Sequence, residues 1–305
     1  MNRTFYPSSN GENNICFYEY GCAVPRAVLY FSHGMGEHMG RFEDFAVYLN
    51  GAGIAVCGED HLGHGLSAKD GDDLGYISCA SGWECLVRDS AAAIARAKLL
   101  HPGVKCFALG FSLGSYILRC VMGLMPPEID GFMLAGAGAP NDIEGKMVKV
   151  LEAAVREKGA RTRDADLREF TKRFISDGAT GEAQPRQERP KRRKPQPGDA
   201  DYDPLYGFHM TLAGTLAITE LTVRAGEADV FAGTPKELPL AFFSGGSDPV
   251  GAAGGGVEYL AGRYRREGLA DVEVHRYPGQ YHEIIKPKNR DTVYRDILSW
   301  LDRHI

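Results

Sequence analysis

The sequence predicts an α/β domain in which a mostly parallel sheet is flanked by helices on both faces. Short apolar runs without polar alternation, typical of strands buried on both faces, recur along the chain. Amphipathic helical stretches lie between these runs, and this alternation is the order that builds a parallel sheet. Each run is followed within three residues by a glycine, where the chain can turn tightly.

The predicted elements follow this alternation along the chain. Apolar runs predict strands at 27–31, 54–57, 104–109, 132–135, 240–243 and 272–277. Helical spacing of apolar residues predicts helices over 81–98, 115–125, 257–268 and 292–304. Ser81 and Glu84 have the spacing of a capping box, which predicts where the first of these helices begins.

The interval between 136 and 239 is far longer than the dozen or so residues that a helical crossover needs. It predicts an inserted lid or cap subdomain over 141–215, with the core formed by 1–140 and 216–305. The insertion opens with a helical stretch, for which we expect packing within the subdomain, with a lipid-facing surface as the alternative. The shared face of that stretch consists of Met147, Val150, Leu151, Ala154 and Val155. A proline-rich, basic tract at 184–197 has no large apolar side chain and predicts a solvated loop.

Composition excludes several classes of protein. The chain has 305 residues, 44% of them hydrophobic, so it has enough apolar material for a core. Its formal net charge of −5 argues against a general nucleic-acid binder. We find no apolar run as long as a membrane span or a signal peptide, which predicts a cytoplasmic protein. Seven cysteines without a Cys-x-x-Cys pair indicate buried apolar side chains rather than a zinc or redox site.

The strongest chemical signal is the run Gly-Phe-Ser-Leu-Gly at 110–114, between a predicted buried strand and a predicted helix. A tight strand-to-helix turn with small flanking residues lifts a serine hydroxyl clear of the sheet. It also leaves the N–H of Leu113 at a helix start, where it can point toward whatever Ser112 attacks. The pattern predicts a nucleophilic serine at position 112.

A serine nucleophile needs a base, and the base needs a carboxylate that orients it. In this architecture the chain order is serine, then Asp or Glu, then His, each after a later strand. Asp248 follows the strand at 240–243, and His282 follows the last strand. Because catalytic groups gather at the carboxyl ends of parallel strands, Ser112, Asp248 and His282 are predicted to meet at one edge of the sheet.

A second oxyanion donor is expected in the loop after the early strand at 27–31. Glycines at 34 and 36 let that loop turn inward and expose the N–H of Met35. The N–H groups of Met35 and Leu113 are therefore the predicted oxyanion hole. His33 and His38 are expected to brace this loop rather than react.

Four motifs resemble those of one family. They are His-Gly-Met-Gly-Glu-His at 33–38 followed by Arg-Phe at 41–42, Asp-His-Leu-Gly-His-Gly-Leu-Ser at 60–67, the serine run at 110–114, and Gly-Ser-Asp-Pro-Val at 246–250. Their order and spacing, over 15–140 and 235–305, resemble the monoacylglycerol lipase and lysophospholipase-like group of serine α/β-hydrolases. That group includes the serine-aminopeptidase-like hydrolases.

The resemblance implies an α/β-hydrolase fold with a helical lid inserted after the sixth strand. It implies Ser112 as nucleophile, Asp248 as acid and His282 as base, with Met35 and Leu113 at the oxyanion. It also implies that Asp60, His61 and His64 hold a structural turn. Residues 202–208, hereafter the return segment, resemble the same stretch of bacterial members, whereas the basic tract at 184–197 departs from the family pattern.

Two other interpretations are weaker. The glycines at 34 and 36 imitate a dinucleotide fingerprint, but the third glycine position is Met39. His33, His38, Asp60, His61 and His64 lack a metal-ligand pattern, so we predict neither a metal nor an organic cofactor.

Three functions follow from the sequence. The leading hypothesis is a serine hydrolase that cleaves esters with an acyl chain, such as monoacylglycerols or lysophospholipids. The alternative is an aminopeptidase acting on short, often proline-containing peptides, with lid carboxylates holding the free amine. A non-enzymatic ligand-binding protein is third. The expected partner is a small ester or lipid and not a nucleic acid, with transient membrane-surface contact through the lid left open.

Overall fold

The structure is a computed structural model. It describes residues 1–77, 80–140, 144–167, 199, 202–251, 255–286 and 290–305. The basic tract at 184–197 and most of the predicted lid beyond 167 therefore lie outside the described residues.

The centre of the molecule is an eight-stranded sheet with the strand order β1-β2-β4-β3-β5-β6-β7-β8. The strands are β1 (Asn2–Pro7), β2 (Asn14–Tyr20), β3 (Ala27–Ser32), β4 (Ile54–Glu59), β5 (Lys105–Phe111), β6 (Gly131–Ala135), β7 (Leu240–Gly245) and β8 (Val272–Tyr277). Strands β3 to β8 pair in parallel, whereas β2 pairs antiparallel with both β1 and β4. The predicted mostly parallel sheet is confirmed.

The sequence analysis missed β1 and β2. Strand β1 lies at the sheet edge with alternating exposed and half-buried residues, so it has no continuous apolar run. Strand β2 is buried along most of its length but carries asparagine at its start and a glutamate near its end. A search for uninterrupted apolar runs finds doubly buried strands and passes over an edge strand such as β1.

Helices cover both faces of the sheet, as predicted. They are α1 (Glu43–Gly51), α2 (Gly82–Leu100), α3 (Leu113–Leu124), α4 (Glu144–Lys158), α5 (Leu212–Arg224), α6 (Ala228–Gly233), α7 (Gly255–Arg266) and α8 (Arg290–His304). One apolar core includes residues of α2, α3, α5, α6 and α7, and a second includes residues of α1 and α8. Short 3-10 helices span Met39–Phe42 and Gly65–Ser67.

The predicted capping box is wrong, although α2 does begin after Ser81. The Ser81 side chain makes no capping hydrogen bond, and its main-chain carbonyl accepts the N–H of Glu84 instead. The Glu84 carboxylate pairs with Arg88 one turn further along the helix. An ion pair on the helix surface thus takes the carboxylate that the capping box required.

The described parts of the predicted insertion pack on the core through helices. Helix α4 packs against α5, and α5 packs against α2. Met147 and Leu151 of α4 are buried, as expected for packing within the subdomain, whereas Val150 is 48% exposed. The predicted boundary between 215 and 216 falls inside α5, so this helix joins insertion and core without a break. No helix in the described ranges is both long and apolar enough to cross a bilayer.

Candidate active site

Ser112 stands at the turn between β5 and α3, in a backbone conformation that side chains rarely adopt. Its φ of 53° is positive, and among the described residues it is the sole non-glycine with a positive φ. A Cβ at Gly110 would lie 2.3 Å from the carbonyl oxygen of Gly114, and one at Gly114 would lie 2.1 Å from that of Ser32. The turn can therefore be this tight only because both flanking residues lack side chains.

The structure brings Ser112, His282 and Asp248 together from three separate loops. The Nε2 atom of His282 is 2.8 Å from the Oγ atom of Ser112, and its Nδ1 atom is 2.9 Å from Oδ2 of Asp248. Asp248 is fully buried, and its Oδ1 atom accepts the N–H of Val250. This arrangement can pass a proton from the serine hydroxyl to the imidazole, while the carboxylate fixes the ring and its tautomer.

The loops that carry Asp248 and His282 are bonded to each other through their backbones. The N–H of Gly246 donates to Tyr277, and the N–H of Ser247 donates to Gln280, over 2.8 and 2.9 Å. The His282 ring lies against the Phe111 ring, with centroids 5.4 Å apart. These contacts hold acid and base in register without help from the insertion.

The two predicted oxyanion donors, the N–H groups of Met35 and Leu113, differ in how far their residues are buried. Leu113 is buried as the first residue of α3, a position whose N–H has no acceptor within the helix. Met35 is 49% exposed. Within the described part of the chain, neither N–H donates to another protein group, so both are free to meet a charge that develops on a bound substrate.

The orientation of the Met35 N–H depends on the peptide unit that it shares with Gly34. The Nδ1 atom of His33 donates to the Gly34 carbonyl over 2.8 Å, and Nε2 of His33 accepts the N–H of His61 over 3.1 Å. Burial and the neighbouring His61 and His64 lower the pKa of His33 well below its ordinary value. His33 therefore stays neutral, as a ring that donates at one nitrogen and accepts at the other must.

The residues that the resemblance assigns to a structural turn are buried and hydrogen-bonded. The Asp60 carboxylate accepts from the N–H groups of Met39 and Leu66 and from the Tyr18 hydroxyl, at 2.7 to 3.0 Å. Burial raises the pKa of Asp60, and burial lowers that of His64 to about 3. The Asp60 carboxylate thus links the N–H groups of Met39 and Leu66, as a residue that holds a turn would.

One group of side chains in the described ranges has metal-ligand separations, and it is not among the sequence candidates. It consists of Asp271, Glu273 and His304. Asp271 precedes the start of β8, whereas Ser112 follows the end of β5, so the two residues lie at opposite ends of parallel strands. Glu273 already pairs with Arg303. The group therefore lies at the start of a strand, whereas Ser112, Asp248 and His282 follow the ends of theirs.

Sequence reasoning missed a cluster of charged side chains beside Met35. We call it the charged cluster, and its members are Glu37, His38, Arg41, Asp203 and Lys286. Its local signal is the spacing of Glu37 and Arg41, which lie four residues apart at the end of the glycine-containing loop. Its long-range members, Asp203 and Lys286, lie more than 150 residues further along the chain, so no local sequence pattern predicts these contacts.

The chain is similar to known proteins over most of its length. The sequence profile of the family described as Hydrolase_4, serine aminopeptidase S33, matches residues 23–289. A monoglyceride lipase of Mus musculus is 32% identical over 127 residues, which cover 42% of this chain and 40% of that enzyme. A monoacylglycerol lipase of Mycolicibacterium smegmatis is 26% identical over 92% of this chain and 90% of its own.

A solved structure is similar over almost the whole chain. It is a thermostable carboxyl esterase from Bacillus coagulans in complex with glycerol, with a TM-score of 0.86 and 24% identity. The alignment covers 99% of this chain and 98% of that one. This similarity confirms the α/β-hydrolase fold.

Proposed function

Because the chain belongs to the serine aminopeptidase S33 family of hydrolases, we propose that it is a serine hydrolase that cleaves carboxylic esters carrying an acyl chain. The observation that carries the proposal is the chain of contacts from Asp248 through His282 to Ser112, each at hydrogen-bond distance. We assign Ser112 as nucleophile, His282 as general base and acid, and Asp248 as the group that orients the imidazole.

In the proposed mechanism, Ser112 Oγ attacks the ester carbonyl carbon while its proton passes to Nε2 of His282. The carbonyl oxygen becomes an oxyanion, which the N–H groups of Met35 and Leu113 bind. Collapse breaks the bond to the alcohol, which leaves with the proton from His282. Water then gives its proton to His282 and attacks the acyl-enzyme, and Ser112 regains its proton as the carboxylic acid departs. The scheme requires neither metal nor organic cofactor.

The proposed substrate class is a monoacylglycerol or a lysophospholipid. The relatives from Mus musculus and Mycolicibacterium smegmatis, which bear the names of monoglyceride and monoacylglycerol lipases, support this choice. We propose the insertion as a lid over the acyl group, with transient contact to a lipid surface. Helix α4 supports this assignment, because it packs on α5 and not directly on the sheet.

Replacement of the nucleophile tests the proposal. Ser112→Ala should lower kcat for p-nitrophenyl butyrate and for a monoacylglycerol by at least about 10³-fold, with unfolding little changed. Ser299→Ala, at an exposed site on α8, is the matched control and should keep the parent rate. A fluorophosphonate should label the parent and not Ser112→Ala. Unchanged hydrolysis in Ser112→Ala would falsify the assignment, and a parent that resists the fluorophosphonate would favour a non-enzymatic ligand-binding role.

The second candidate is an aminopeptidase, which the description of the matching family favours. Such an enzyme needs an unpaired carboxylate to bind the free amine. Of the acidic residues that the sequence offers in the insertion, Asp164 already pairs with Lys158. Burial and the nearby Glu152 raise the pKa of Glu220, so this carboxyl group loses its proton less readily than an ordinary glutamate and is poorly suited to bind an amine as an anion. Faster turnover of a proline naphthylamide than of a monoacylglycerol would support the peptidase.

A further inference from the structure

The return segment, residues 202–208, runs along the loop that carries the Met35 N–H. We call residues 33–41 the oxyanion loop. The N–H of Gly207 donates to the carbonyl of Gly36 over 2.8 Å. Gly36 has a positive φ of 70°, so its carbonyl is turned by a backbone conformation that favours glycine. Met35 is therefore held on both sides, by His33 at the Gly34 carbonyl and by Gly207 at the Gly36 carbonyl.

Side chains reinforce this backbone contact, and Arg41 is their centre. Its guanidinium lies 3.2 Å from the centroid of the Tyr206 ring and 3.6 Å from a carboxylate oxygen of Asp203. The same Asp203 oxygen is 2.8 Å from Nε2 of His38. Arg41 suits this double contact, because its planar group can stack on a ring and face a carboxylate at once.

The oxyanion loop is also tied to the loop that carries His282. The Nζ atom of Lys286 lies 3.4 Å from Oε1 of Glu37 and 4.3 Å from the centroid of the Phe42 ring. Glu37 in turn is 3.6 Å from Arg41. The Oε2 atom of Glu37 lies 3.0 Å from where a Cβ of Gly34 would stand, so the carboxylate packs directly on the peptide that bears the Met35 N–H.

The charges alternate through the cluster. Lys286, Glu37, Arg41 and Asp203 form a line of cation, anion, cation and anion, and each of these side chains is less than one third exposed. Partial burial weakens the screening of such pairs by water and salt. Loss of the central cation leaves two neighbouring carboxylates without their shared partner, which loosens the return segment from the oxyanion loop.

From these contacts we infer that Arg41, stacked on Tyr206 and paired with Asp203, is a positioning residue that aims the Met35 N–H at the oxyanion. This inference rests on the proposed function. Arg41 itself touches no reacting atom. It fixes one of the two donors through the return segment, so that the second half of the oxyanion hole is assembled by the end of the insertion.

Arg41→Met tests the inference through the split between kcat and KM. A misplaced donor weakens binding of the transition state and not of the ground state. We expect kcat for p-nitrophenyl butyrate to fall about 10- to 100-fold, with KM within about threefold of the parent. Arg41→Lys keeps the charge but not the planar stack, and should fall between the two.

A trifluoromethyl ketone provides a readout that a purely structural role would not move. Ser112 Oγ adds to its carbonyl carbon, the serine proton passes to His282, and the former carbonyl oxygen carries the negative charge. The affinity of this adduct should weaken in Arg41→Met by the same factor as kcat, because both depend on the donor that the adduct's oxyanion requires.

The chain offers a matched control at the other end of the insertion. The guanidinium of Arg161 lies 3.9 Å from the centroid of the Tyr76 ring and 2.7 Å from Asp73. This is the same pairing of ring and carboxylate, and both partners belong to a segment other than the oxyanion loop. Arg161→Met should therefore leave kcat and ketone affinity within about threefold of the parent.

Tyr206 variants keep the test valid if Arg41→Met fails to fold. Tyr206→Phe retains the ring under Arg41 and should preserve kcat, whereas Tyr206→Leu should lower it about 10-fold at unchanged KM. An unchanged kcat in folded Arg41→Met and Tyr206→Leu would overturn the inference, as would an equal loss in Arg161→Met. A parent that hydrolyses no ester would instead overturn the proposed function, so the two failures are distinguishable.

Discussion

The turn at Ser112 and the oxyanion loop supply the two halves of one candidate oxyanion hole, but they are built differently. The turn at 110–114 is fixed by backbone packing, because Gly114 lies directly against the carbonyl of Ser32 at the end of β3. The oxyanion loop is fixed by side chains that reach it from the return segment and from the loop after His282. One half is part of the core, and the other is assembled at its rim.

This difference indicates which half of the hole can vary. A donor held by strand and helix backbone can move only if the fold changes. A donor held by ion pairs and a stacked ring shifts with the charges and with the segment that supplies them. The same small substitution should therefore have unequal effects in the two regions, and three predictions test this contrast.

The largest effect is expected from Gly114→Ala. The new methyl group would lie 2.1 Å from the Ser32 carbonyl oxygen, which belongs to backbone that cannot yield cheaply. We expect the free energy of unfolding to fall by about 4 kcal/mol or more, with loss of fluorophosphonate labelling. Urea denaturation measures the first and gel fluorescence the second. A stable, labelled Gly114→Ala protein would refute the view that this half is fixed by backbone packing.

Lys286 should give an intermediate, pH-dependent effect in the charged cluster. The pKa of Lys286 is lowered from the ordinary 10.5 to about 8, chiefly by burial and also by the nearby Arg41, while Glu37 and Glu283 oppose the shift. Between these pH values the unfolded chain holds the lysine proton more often than the folded chain, so the contribution of Lys286 to stability rises with pH.

Lys286→Met removes this titration and so isolates it. The stability of the parent relative to Lys286→Met should rise by on the order of 1–3 kcal/mol between pH 7.5 and 10. Urea denaturation of both proteins at the two pH values measures the change, and shared titrations cancel in the difference. Arg290→Met, which removes an exposed pair with Asp44, is the control and should show no such rise. A flat difference for Lys286→Met would contradict the buried position of this ammonium group.

The smallest effect on stability is expected from Gly34→Ala in the oxyanion loop. The nearest atom to the added methyl is the Glu37 carboxylate at 3.0 Å, the flexible end of a side chain, and the Phe111 ring follows at 3.4 Å. Unfolding should change by less than about 1 kcal/mol, whereas kcat should fall several-fold as Glu37 moves. A stability loss as large as that of Gly114→Ala would erase the contrast between the two regions.

The parallel part of the fold could be predicted from the sequence because its strands are buried on both faces. Such strands leave continuous apolar runs, each broken at the glycine that follows. Strand β1 leaves no such run, because four of its six residues are exposed at the edge of the sheet. Its place beside β2 is fixed by pairing with a neighbour and not by its own composition.

The residues of the candidate site divide in the same way. Ser112, Asp248 and His282 follow predicted strands, and parallel topology brings the ends of those strands to one edge. The contact of Arg41 with Asp203 and Tyr206 has no such origin. It depends on where the return segment lies after a long insertion, which only the packed structure reveals.

Two segments of the insertion, one near Arg163 and one near Gly207, are hydrogen-bonded to the core. Arg163 donates to the carbonyls of Asp72 and Leu74 at one end, and Gly207 donates to Gly36 at the other. The core thus provides two fixed anchor points, between which a different stretch of chain can be grafted. A library of segments grafted between these two anchor points would vary the insertion while the residues at the reaction centre are kept constant.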